Sequence, residues 1–170
     1  GHAIRFNEKT VRVMGRNATG VRAMRIEGDN EVVGMVSVCN PEKDTVLVVS
    51  DQGYGKRSNV EDYRITNRGG KGVKTMNITD KTGQLVALKV VNDEDDLMII
   101  NVSGITLRLH TSDIRVMGRA TQGVRLINLS KRGDTIASIC RVPREEEDDA
   151  ENTEGAESAS ENAPAETDKE

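Results

Sequence analysis

One undecapeptide occurs twice in this chain with little change. Arg12-Val-Met-Gly-Arg-Asn-Ala-Thr-Gly-Val-Arg22 is echoed 103 residues later by Arg115-Val-Met-Gly-Arg-Ala-Thr-Gln-Gly-Val-Arg125. Midway lies Arg64-Ile-Thr-Asn-Arg-Gly-Gly-Lys-Gly-Val-Lys74, which aligns Gly72 with Gly20 and Gly123 at offsets of 52 and 51, so the period is 51 to 52 residues. Residues 46–65 match 97–116, bringing Gly53 onto Gly104 and Arg57 onto Arg108, with Arg5 in the same register. Two full repeats and part of a third are present. A chain with such a period is a stack of like units, each burying its apolar face only against its neighbours.

Within a repeat the apolar runs are short and rich in Val, Ile and Leu, as at residues 32–38, 85–91 and 136–142. Turn signals separate them: Glu27-Gly28-Asp29-Asn30, Asp51-Gln52-Gly53, Lys81-Thr82-Gly83 and Lys131-Arg132-Gly133. No sustained 3.6-residue pattern interrupts them. The expected fold is all-β, a propeller-like array of four-stranded blades. Phe6, Tyr54 and Tyr63 are the only aromatic residues, so aliphatic side chains and Met must fill the space between blades. That scarcity argues against kelch and WD40 propellers and against single-strand binding, which relies on aromatic stacking platforms.

Residues 145–170 differ from the rest, with 12 acids, one base (Lys169) and no Val, Ile, Leu, Phe, Tyr or Met. Such a segment cannot bury enough apolar surface to offset its ordering entropy and reads as a disordered acidic tail. The remaining body, residues 3–144 as a partial array of about three blades, excludes Gly1-His2, which reads as an expression scar. Without the tail, 23 bases and 16 acids remain, a formal charge of +7 that the whole-chain net of −4 hides. A basic body of this kind suits a polyanion. Cys39 and Cys140 each sit in an apolar run, outside any metal-ligand spacing, and read as small buried hydrophobes. No apolar run approaches membrane-helix length and no signal peptide is apparent, so a cytoplasmic location is expected.

The loop shared by all three repeats carries the most information: Gly15-Arg16-Asn-Ala-Thr-Gly20, Asn67-Arg68-Gly69-Gly70-Lys71-Gly72 and Gly118-Arg119-Ala-Thr-Gln-Gly123. Glycines that permit positive φ let backbone N–H groups and a cationic side chain face one anion. A single such loop is as well read as a tight turn with a solvated arginine. Three in register place Arg16, Arg68 and Arg119 on one edge of successive units, with Arg12, Arg64 and Arg115 upstream and Arg22, Lys74 and Arg125 downstream. The expected result is a spaced cationic rim that suits bent duplex DNA.

Arg68-Gly-Gly-Lys-Gly72 resembles the core of the gyrase A box, Gln-Arg-Arg-Gly-Gly-Lys-Gly, matching five of its seven positions. Thr66 and Asn67 stand where that motif has Gln and Arg, leaving open whether this is the principal box or a box-like loop of another blade. The likeness continues through residues 13–22, Asp51-Gln-Gly-Tyr-Gly-Lys56-Arg57, residues 119–125 and the acidic tail. The chain is thus similar to the last three blades of bacterial DNA gyrase A C-terminal domains. The resemblance implies a β-pinwheel whose basic perimeter wraps duplex DNA, supporting negative supercoiling by a holoenzyme of two gyrase A and two gyrase B chains at the nucleoid. It adds Lys56, Arg57 and Arg108 to the candidate DNA contacts. It also implies that cleavage, ATP and Mg2+ belong to other parts of the holoenzyme, so no cofactor, metal or catalytic residue is expected here.

The residues themselves offer no nucleophile elbow, Walker motif or metal constellation. Tyr54 and Tyr63 read as strand residues, His110 as a structural histidine, and Asp93-Glu94-Asp95-Asp96 as an acidic turn. Two alternatives stand beside the gyrase reading. A topoisomerase IV C-terminal domain shares the blades without a proper box, and a propeller-like protein-interaction scaffold would not require arginines in step.

Overall fold

The computed structural model describes residues 1–129 and 133–144; the acidic tail and the Lys131-Arg132 part of the fourth turn lie outside them. The described residues form strands β1 (His2–Ala3), β2 (Thr45–Ser50), β3 (Tyr54–Asn59), β4 (Val73–Lys74), β5 (Leu85–Val91), β6 (Asp95–Asn101), β7 (Thr106–His110), β8 (Val124–Arg125) and β9 (Ile136–Pro143). Single 3-10 turns at Glu8–Thr10, Val60–Asp62 and Thr111–Asp113 recur at the repeat period. No helix among the described residues is long and apolar enough to cross a membrane.

The second and third repeats each supply four strands, as the turn spacing predicts, but one strand in each is given away. In the second repeat β2, β3 and β5 pair antiparallel, and the outer edge of β3 is completed by β8 of the third repeat, giving the order β5-β2-β3-β8. The same exchange occurs one unit earlier, where β4 pairs with β1: Ala3 opposes Val73 as Gly55 opposes Val124. Parallel bridges Arg5 to Ile65 and Arg57 to Val116 repeat it again. Each repeat therefore closes the edge of the one before, removing an otherwise open row of N–H and C=O groups.

β2 explains the near-continuous apolar run. Alternate side chains of a strand point to opposite faces, and here both faces are covered. Val46 and Val48 join Val60, Tyr63 and Met76 in a core toward the first repeat. Leu47 and Val49 join Val91, Leu97, Ile99, Ile114 and Ile139 in a core toward the third. Leu47 is 1% exposed, and truncating such a residue to Ala costs about 2–5 kcal/mol.

Three sequence expectations need correction. Residues 32–38 form no strand, and Val32 and Met35 are 65% and 89% exposed. Their counterparts β5 and β9 pair with the hairpin strands β2 and β6, whereas the first run has no ladder partner among the described residues. An apolar run without a ladder partner forms no strand. Cys39, at the end of that run, is consequently exposed, while Cys140 on β9 is half-buried; both thiols are free. Tyr63 lies just beyond the Val60–Asp62 turn, outside any strand, where its hydroxyl bonds Thr75 Oγ1 at 2.6 Å.

Candidate nucleic-acid interface

The three basic loops close on one backbone conformation. Their closing glycines, Gly20, Gly72 and Gly123, have φ of 88°, 81° and 83°, a region that costs an L side chain steric strain. At Gly123 a Cβ would also lie 2.7 Å from the Gly55 carbonyl oxygen, and at Gly72 it would strike the Ala3 carbonyl. Glycine is demanded twice over, by the turn and by the close approach of the preceding repeat. In the first and third loops the N–H of Ala18 and of Thr121 donates to the carbonyl of Gly15 and of Gly118 at 3.1 and 3.2 Å.

The central arginines do structural work that the repeat register could not show. Arg68 donates from Nε to the Thr10 carbonyl and from Nη1 to the Arg22 carbonyl, each at 3.2 Å. Arg119 makes the equivalent bonds one unit later, to the carbonyls of Asp62 (3.1 Å) and Lys74. Main-chain bonds run alongside: Arg25 N–H to the Gly70 carbonyl and Asn77 N–H to the Thr121 carbonyl. Each loop is thereby riveted to the one before it.

Arg57 and Arg5 form a second set of ties. Arg57 is 5% exposed; its Nε donates to the Ile114 carbonyl at 2.7 Å and its Nη1 pairs with Asp93 at 2.6 Å. Arg5 likewise donates to the carbonyls of Val60 and Tyr63. Arg108 instead pairs with Asp96 at 2.7 Å, and the same carboxylate receives His110 Nδ1 at 2.7 Å. Those bonds hold the Asp96 carboxyl below the usual carboxylate range, that from His110 foremost.

Lys56 is fully buried beneath the third loop. Its ammonium donates to the carbonyls of Gly118 (2.9 Å) and Arg119 and to Ser58 Oγ (3.1 Å). Burial, reinforced by the charge of Arg119, lowers its pKa to about 8. Lys56 and Arg57 thus face the protein interior, where a phosphate cannot reach them. The signal was present in the sequence: one repeat away on either side the Lys56 position holds Ile4 and Leu107, an apolar column.

The outward cations are Arg12, Arg16, Arg22, Arg64, Lys71, Lys74, Arg115 and Arg125. Among the described residues the side chains of Arg12, Arg16, Arg22, Arg64, Lys74 and Arg115 make no hydrogen bond or ion pair. Lys71 pairs with Glu27 of the preceding repeat at 3.0 Å, and Arg25 shares that carboxylate at 3.2 Å. The Lys71 bond, with both positive charges, lowers the Glu27 pKa. Gly69 and Gly70 lie against the first repeat, Gly69 donating its N–H to the Ala23 carbonyl at 2.6 Å. Riveted loops with free cations between them form a stepped basic edge able to meet an anion of regular spacing.

The described residues contain no group of three or more His, Cys, Asp or Glu placed to hold a metal. Of the expected acidic turn only Asp93 and Glu94 form one, and Asp95 and Asp96 open β6; Asp93 pairs with Arg57, Asp95 accepts the N–H of Asn92 at 2.9 Å, and Asp96 serves Arg108 and His110.

The family model for the DNA gyrase C-terminal domain, described as a beta-propeller, matches residues 1–39, 44–92 and 95–142. The gyrase A protein of Staphylococcus aureus (strain MRSA252) is 46% identical over 155 residues, covering 88% of this chain and 17% of that protein. A solved DNA gyrase A C-terminal domain superposes with a TM-score of 0.75 at 27% identity, over 83% of this chain and 47% of that one. A topoisomerase IV C-terminal domain superposes with a TM-score of 0.77 at 19% identity, over 84% of this chain and 44% of that one, a likeness of fold.

Proposed function

Because the chain belongs to the family of DNA gyrase C-terminal domains, we propose that its basic body binds and wraps duplex DNA within a gyrase that introduces negative supercoils. The observation that carries this reading is the recurrence of unpaired outward cations in three successive repeats, on loops fixed to one another by Arg68 and Arg119. Phosphate contacts supply the affinity, and the deformability of the duplex decides where it bends. Arg12, Arg16, Arg22, Arg64, Lys71, Lys74, Arg115 and Arg125 are the contacts assigned to it. Arg68 and Arg119 act as positioning residues of the same loops.

The remainder of gyrase A, together with gyrase B, forms its partners in an A2B2 assembly in the bacterial cytoplasm at the nucleoid. Cleavage, ATP and Mg2+ belong to other domains, and this part contributes no catalytic group. The 46% identity to a gyrase A protein favours gyrase over topoisomerase IV. Duplex binding across a salt series tests the reading: sequence-tolerant affinity that falls steeply with salt supports it, and no binding at low salt overturns it.

A further inference from the structure

One cluster at the junction of the second and third repeats is not accounted for by the stepped basic edge. Tyr54, the first residue of β3, lies opposite Arg125 of β8. Although Tyr54 is only 7% exposed, its hydroxyl accepts a hydrogen bond from Arg125 Nη2 at 3.0 Å. The Arg125 guanidinium lies 5.5 Å from the ring centroid and Lys81 Nζ lies 5.6 Å from it. These groups, with Gln52 and the buried Leu129, line a cleft of about 220 Å3.

Lys81 is presented by a stiff turn. Thr82 beside it is fully buried; its hydroxyl accepts from the Thr79 N–H at 2.8 Å and donates to the Asn77 carbonyl at 3.3 Å. Gly83 follows with φ of 72°, where a Cβ would collide with the Asp51 side chain. Among the described residues neither Lys81 nor Arg125 has a carboxylate in ion-pair contact. Two cations held over one ring gain from its negative face but repel each other. An anion seated between them would relieve that repulsion. Because the Tyr54 hydroxyl uses a lone pair for Arg125, its own proton is free to be donated to such an anion. Arg125 also lowers the hydroxyl's pKa, which strengthens it as a donor.

We infer that the Tyr54, Lys81 and Arg125 seam is a phosphate-binding cleft that takes one backbone phosphate of duplex DNA where the duplex passes from the second repeat to the third. This inference rests on the DNA-binding reading and adds two residues to it, Lys81 and Tyr54, that the repeated loops do not contain. The contact also falls at a single junction. One unit earlier, the positions of Tyr54, Arg125 and Lys81 are held by His2, Lys74 and Asp29, which supply no equivalent pair of cations on a tyrosine.

The test uses the full chain, with duplex binding measured over a salt series for wild type, Lys81→Ala, Tyr54→Phe and the charge-matched control Lys43→Ala. The seam predicts a loss of roughly threefold to tenfold for Lys81→Ala and for Tyr54→Phe, and a salt slope shallower by about 0.9 for Lys81→Ala only. Wild-type binding left unchanged by both variants overturns the seam and leaves the DNA-binding reading standing. Inorganic phosphate, followed through the Tyr54 ring resonances, separates the sources. A response in wild type that disappears in Lys81→Ala, together with the DNA effects, supports the cleft. The same response without any duplex binding makes it a site for small phosphates and overturns the DNA assignment. Absence of both overturns the proposal outright.

Discussion

Arg68 donates from Nη1 to the main-chain carbonyl of Arg22 at 3.2 Å, so the arginine at the heart of the second basic loop holds that loop to the first. Arg119 does the same to Lys74 one unit later. The motif arginine thereby sets the spacing of the cations around it.

Arg68→Ala should therefore lower stability as well as DNA affinity. The partly solvated bonds set the expected loss at about 1 kcal/mol in urea unfolding. Arg16, which has no such bond among the described residues, should cost less than about 0.5 kcal/mol on the same substitution. Equal effects of the two on stability would contradict the riveting role.

Lys56→Met leaves the Gly118 and Arg119 carbonyls unpaired and should cost about 1–3 kcal/mol at alkaline pH, where the wild-type amine is neutral, and less near neutral pH, where it also removes a buried charge. It should also remove a pH dependence. With a folded pKa of about 8 against 10.5 for the free side chain, the unfolded chain binds the extra proton between those values. Wild-type stability therefore gains a contribution as pH rises from about 8 to 10.5, and the penalty of the buried charge is fully present below about 8. Urea unfolding at the two ends of that window, on wild type and variant, gives the comparison; identical pH slopes would contradict it.

Glu27→Gln frees Lys71 and Arg25 from their shared carboxylate. Duplex affinity should rise by roughly twofold to fivefold at low salt, and the gain should fade as salt screens exposed charges. An affinity that falls instead would mean that Glu27 positions Lys71 rather than masks it.

Removing residues 145–170 takes away 12 acids and one base. If the tail competes with DNA for the basic edge, affinity at low salt should increase on its removal, and titration with duplex DNA measures this directly. Unchanged affinity would exclude the competition.

The period, the all-β class and the turns were legible because spacing, β-branched runs and glycine punctuation are local properties of a sequence. Among the in-step bases only Lys56 carried a sign of facing inward, its apolar counterparts Ile4 and Leu107; for the arginines, register places residues on an edge without saying whether that edge meets solvent or the next unit. Arg57 and Lys56 were candidates for DNA contact, yet the third loop closes over Lys56 and residues 114–116 pair with Arg57. The strand exchange itself had one trace, the small residues Ala3 and Gly55 opposite the valines that follow Gly72 and Gly123. Residues 32–38 have the composition of a strand, but a strand is defined by a partner, and composition carries no information about whether one is present.

The central claim is wrapping, and the linking number of a nicked circle religated in the presence of the chain tests it most directly. Wrapping predicts a shift in linking number that grows with protein and shrinks as salt rises or when Arg64, Lys74 and Arg115 are replaced by Ala together. Salt-dependent binding with no shift at any protein concentration would contradict it.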